Sequence, residues 1–183
     1  MSKQTINRLL QGAVVGLAIP TLAFAAAMTS NDYSAAKTRA EADYKSARAQ
    51  CDGLSGNPND VCIAEAKAAE KKSKAEAEAL YKNTAKARSD AIVASAEADY
   101  DVAKARCDAR TGNDKDVCLK EAKAVEVKTK ADAQANQKVA AARADAREDK
   151  LDADYKVALE KCDALSGPAK DGCIASAKAK YQK

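Results

Sequence analysis

The chain has 183 residues, with 31 Lys and Arg against 27 Asp and Glu, no histidine, no tryptophan and a single phenylalanine. A formal charge of +4 with both signs interleaved leaves no basic patch for nucleic acid, so no nucleic-acid partner is expected. Histidine is the commonest general base and a common zinc ligand, and its absence argues against an enzyme and against a metal or other cofactor.

The N-terminus reads MSKQTINRLLQGAVVGLAIPTLAFAAA. Lys3 and Arg8 form a basic start, an apolar run follows from Leu9 to Phe24, and Ala23-Phe24-Ala25 has the small-x-small pattern of a cleavage site. Residues 1–25 are therefore expected to be a signal peptide, cleaved after Ala25 or Ala27. Gln11 and Pro20 interrupt the run, which is short for a spanning helix. No stable membrane span is expected after cleavage. Losing Lys3 and Arg8 lowers the charge from +4 to about +2.

The remainder, 26–183, is expected to be one elongated domain. About a quarter of it is alanine and only about a tenth is Leu, Ile or Val, which places the core below ordinary globular usage. Ala, Glu, Lys and Arg are strong helix formers, and opposite charges at i,i+4 support helix faces. The expected class is all-α with a thin core.

Three copies of one unit fill this region. They open with AEADYKSARAQCD, AEADYDVAKARCD and LDADYKVALEKCD, and continue through CDGLSGNPNDVC, CDARTGNDKDVC and CDALSGPAKDGC. Tyr44, Tyr100 and Tyr155 each precede a cysteine by seven residues and are expected to pack near it. Gly56, Gly112 and Gly167 fall where a helix must stop, and glycine supplies the left-handed residue of a C-cap. Asn57, followed by Pro58, and Asn113 are then expected to cap the next helices. In the third copy Pro168 moves one place earlier, leaving Gly167 to act as stop and cap.

This punctuation answers why cysteines sit eleven residues apart. The first lies five residues before the turn glycine and the second six after it, at matching heights on antiparallel helices. The expected disulfides are Cys51–Cys62, Cys107–Cys118 and Cys162–Cys173, each stapling a hairpin and each contributing about 3 kcal/mol in the chain-entropy estimate for a 12-residue loop. Zinc is disfavoured by the wide spacing, and no Cys-x-x-Cys exists for redox or haem chemistry. An export signal with an even cysteine count favours disulfides. Asn113, Asp114 and Asp116 in GNDKD are too few for a calcium loop, and helix capping accounts for them. Ser73 and Ser95 have no recognisable base partner.

Every Gly and Pro beyond the signal lies in the three turn segments, so no other helix break is expected. Four helices follow, near 32–54, 58–110, 114–165 and 168–182. The second carries a stripe through Cys62, Ala66, Ala69, Ser73, Ala77, Leu80, Thr84, Ala87, Ala91, Ala94, Ala98, Val102 and Ala105. The third carries one through Cys118, Ala122, Val125, Thr129, Ala133, Ala140, Ala144, Leu151, Tyr155, Ala158 and Cys162, interrupted at Asn136 and Arg147. The two long helices are expected to form one hairpin, with the outer helices folding back at the far end. At 100° per residue Cys62 and Cys107 face opposite sides, so a closed bundle and a zigzag both remain open.

The EADY…CD…GN…DVC…EAK units resemble a group of alanine-, lysine- and glutamate-rich bacterial envelope proteins often labelled TolA-like, or cell envelope biogenesis protein TolA. The resemblance implies a Gram-negative periplasm rather than Tol–Pal function, since the membrane anchor and C-terminal globular domain of TolA itself are not matched. Two functions are weighed. The first is a non-enzymatic periplasmic scaffold, spacer or envelope-stress protein with an unidentified protein or envelope partner. The second is a holdase chaperone similar in outline to Skp. The LTxxQ motifs of Spy-like and CpxP-like proteins are absent. Composition leaves the oligomeric state open. Few large apolar residues are present, and the hairpin seams are expected to consume most of them.

Overall fold

The computed structural model describes residues 28–183, so the signal-peptide expectation lies outside the described residues. The fold is all-α. The elements are α1 (Ser30–Gln50), a 3-10 turn (Cys51–Gly53), α2 (Asn57–Lys82), α3 (Ala85–Cys107), α4 (Gly112–Asp163) and α5 (Gly167–Tyr181).

The expected 58–110 helix is not continuous. It breaks at Asn83, which takes a left-handed φ of 46°, and restarts at Thr84, whose side chain accepts from the Ala87 amide at 3.0 Å. Asparagine tolerates the left-handed region better than most residues, and threonine is a good N-cap. Two residues therefore suffice to reverse the chain. α2 folds back antiparallel on α3, with Lys71 paired to Glu97 at 2.8 Å and Arg106 to Glu65 at 2.6 Å.

The fold-back changes the expected arrangement. The turns before α2 and before α4 lie at the same end, where the Asn57 side chain donates to the Ala105 carbonyl at 2.6 Å. α1, α2, α3 and the first half of α4 form an antiparallel meander in which each helix packs only on its neighbours in sequence, as does α5 on α4. The zigzag is realised and the closed bundle is not. The turn between α2 and α3 carries no disulfide, so not every hairpin is stapled.

Helices in such a meander must bury two opposite sides. In α2, Ala66 and Ala77 form one buried side; Ala68 and Ala79 form another, about 200° away. Ala68 packs with Ala98 and Val102 of α3. α3 turns Ser89 toward α4, where its hydroxyl donates to the Ala133 carbonyl at 3.1 Å. Alanine fills these seams because its methyl lets helix axes come close. The large apolar residues were expected there, yet Leu80, Ile92, Val125, Val139 and Leu151 are exposed.

Candidate interaction surfaces

The cysteines pair as expected. Cys51–Cys62 and Cys107–Cys118 have Cα separations of 5.7 Å, and Cys162–Cys173 has 5.6 Å, inside the range a disulfide spans. The first cysteine of each pair is buried and the second half-buried. The turn glycines take positive φ, 61° at Gly56, 54° at Gly112 and 59° at Gly167. They open the following helix rather than closing the preceding one: Gly56 is the N-cap of α2, and Thr111 and Ser166 precede Gly112 and Gly167. Asn57 is therefore not the cap; its side chain ties α2 to the end of α3. Asn113, Asp114 and Asp116 stand exposed in the first turns of α4.

The three tyrosines are half-buried. Tyr155 meets Tyr181 of α5 with ring centroids 6.0 Å apart, and the Lys123 ammonium sits 4.8 Å from the Tyr100 ring centre. Tyr33 stacks on Tyr81 at 4.8 Å beside the Asn83 elbow, a pairing outside the repeat pattern.

An ion-pair chain runs across the layer. Lys71 of α2 and Lys130 of α4 both reach Glu97 of α3 at 2.8 Å; Lys130 continues to Glu126 at 3.4 Å, and Glu126 also takes Lys123 at 2.6 Å. Hydrogen bonds from Lys130 and Lys71 hold Glu97 at a pKa of about 2, against the burial that opposes its charge. Glu126 is 5% exposed, and its pKa is lowered chiefly by Lys123. Lys130 is correspondingly raised by Glu97. Only the fold-back of α2 on α3 brings Lys71 to Glu97.

On the other face of the layer lies an open trough of about 740 Å³, which of the ion-pair residues only Glu126 lines. α3 forms its floor, and α2 and α4 form its sides. Ile92, Ala96, Tyr100 and Val102 line the floor, Ala68 one side and Val125 the other. Ile92 is 45% exposed and Val125 64%. The rim charges are already matched, Glu65 with Arg106 and Lys72 with Asp99. The trough offers apolar contact without a free charge to orient a polar substrate. Among the described residues the Ser95 hydroxyl has one hydrogen-bond partner, Asp99, at 3.5 Å.

α4 is the longest element, 52 residues or about 78 Å. Residues 138–151 along it are all exposed. No helix among the described residues is long and apolar enough to cross a membrane. Comparison with protein-family models, curated proteins and solved structures gave no match for this chain.

Proposed function

We propose that this chain is a non-enzymatic, exported helical scaffold or spacer working in the periplasm. The observation that carries the reading is α4. One uninterrupted helix holds the meander of α1 to α3 at one end and the α4–α5 hairpin at the other, with Cys118 and Cys162 about 66 Å apart along its axis. Disulfides sit at the turns at both ends and so secure the two packed regions without bridging them. Three disulfides fit an extracytoplasmic compartment. The N-terminal signal pattern supports export, and N-terminal sequencing of the exported protein checks cleavage after Ala25 or Ala27.

The holdase reading has one specific observation in its favour, the trough with Ile92 and Val125 exposed. Against it, apolar surface on the rest of the layer is broken up by Lys, Glu and Asp, a poor bed for unfolded chains. The deciding experiment dilutes an unfolded outer-membrane protein into buffer with the oxidised protein at near-stoichiometric ratio. A scaffold leaves light scattering unchanged. Strong suppression that Ile92→Asp or Val125→Asp abolishes, with helicity intact, replaces the scaffold reading with the chaperone one.

A further inference from the structure

α3 and α5 lie on the same side of α4. Ala133, opposite Ser89 of α3, the buried Glu126 two turns before it, and Cys162, bonded into α5, fall within about 20° of one another around α4. Both partner helices run antiparallel to α4, so they are in line and point the same way. Ser89 opposite Ala133 places the start of α3 opposite about residue 137. Lys183, just past α5, pairs with Asp152. Between these ends the packing side of α4 continues through Ala140, Ala144 and Leu151, with nothing over it among the described residues. The result is a slot about 22 Å long and one helix wide. It holds an open groove of about 490 Å³ walled at one end by Tyr181.

The charges along this slot are segregated. Arg143, Arg147 and Lys150 fall along one edge, and Glu148 and Asp152 along the other. Arg143 and Arg147 are four apart, as are Asp145 and Asp149. Like charges at that spacing destabilise a helix on its own, and no tertiary contact among the described residues compensates here. Neither arginine has a salt bridge among the described residues. Such an arrangement costs least when an acidic surface lies against the basic edge.

We propose that the slot on α4 between the ends of α3 and α5 binds a short amphipathic helix of another protein, about three turns long. Its small apolar face lies on Ala140 and Ala144, and its acidic edge pairs with Arg143 and Arg147. Length and charge select this occupant. Among the described residues even the shortest α-helix, α5, has 15 residues and would fill the slot end to end with no room for the turn that joins it to α4, so a second copy laid lengthwise collides with α3 or α5. Residues 1–27 contain no Asp or Glu to meet the arginines.

The proposal names a partner class for the scaffold reading and depends on that reading for its biological use, though the binding itself does not. The probe is a fluorescein-labelled, lactam-stapled 12-residue helical peptide with alanine and leucine on one face, glutamate along one edge and lysine along the other. Fluorescence anisotropy with the oxidised protein at low salt should give saturable binding. Arg143→Glu with Arg147→Glu should weaken it at least tenfold, and a probe with lysine on both edges should bind that variant better than the natural protein. Ala144→Lys should abolish binding while leaving helicity and melting unchanged, because Ala144 is exposed. Absence of saturable binding up to millimolar protein overturns the proposal, as does binding that these substitutions leave unaltered. Neither failure touches the scaffold reading, which the aggregation assay tests without the probe.

Discussion

Replacing Asn83 and Thr84 together by alanine sets the elbow against the seam it folds. The left-handed residue becomes costlier by about 1 to 2 kcal/mol when asparagine is lost, and removing the Thr84 cap costs about 1 kcal/mol. Both changes also favour a straight helix from 57 to 107. Opposing them is the α2–α3 seam. Ala68, Ala79, Ala87 and Ala98 each bury about one methyl, worth about 0.8 kcal/mol apiece, and Val102 adds about 1.5 kcal/mol. The Asn57–Ala105 hydrogen bond adds about 1 kcal/mol. The exposed pairs Lys71–Glu97, Lys72–Asp99 and Glu65–Arg106 add about 0.5 kcal/mol each at most. The seam, about 7 kcal/mol, exceeds the elbow loss of about 2 to 3 kcal/mol. The double variant should therefore stay folded back and melt about 5 to 10 °C lower by circular dichroism. Asn83→Gly, which keeps the left-handed residue without a Cβ, should melt close to the natural protein. A double variant with an unchanged melting temperature, or one whose scattering shows α2 swung out into a rod, refutes this reasoning.

Reduction should destabilise each stapled hairpin by about 3 kcal/mol, seen as a lower melting temperature. Cys162→Ser with Cys173→Ser should free α5 first, shown by faster amide exchange in α5 than in α2. The Glu97 carboxylate, held at a pKa of about 2 by Lys130 and Lys71, contributes stability that is present above its unfolded value near 4.5 and lost as pH falls from there toward 2. Because the Glu97 side chain is 38% exposed, the effect should be about 1 kcal/mol, and Glu97→Gln should flatten stability across that window. Limited trypsin digestion should cut first at Arg143, Arg147 or Lys150, where α4 has no tertiary cover. A non-reducing gel should then show two fragments, since no disulfide spans the cut.

The glycine and proline segments made three turns and three disulfides readable in advance, because their backbone demands are local. The elbow at Asn83–Thr84 was not readable the same way. An Asn-Thr pair is a weak stop amid Lys, Ala and Arg, and α4 has Lys138-Val139-Ala140 at the corresponding place and runs straight through. One signal was available: Tyr100 follows Cys62 by 38 residues, while Tyr155 follows Cys118 by 37. The second buried side of α2 was hidden by abundance. With alanine at Ala66, Ala68, Ala77 and Ala79 alike, no stripe stands out from another. The ion-pair chain through Glu97 and the slot over Ala144 depend on which helices lie beside each other, which periodicity does not encode.

Small-angle scattering of the oxidised protein, begun at residue 28, tests most directly whether α4 holds two packed regions apart. A rod about 78 Å long has a radius of gyration of about 22 Å, while a compact domain of this length has about 15 Å. The account predicts a value near the larger figure, with a pair-distance distribution tailing to about 80 Å. A radius near 15 Å with full helicity would mean that α4 bends within 138–151 and lets the hairpin fold back, contradicting the account.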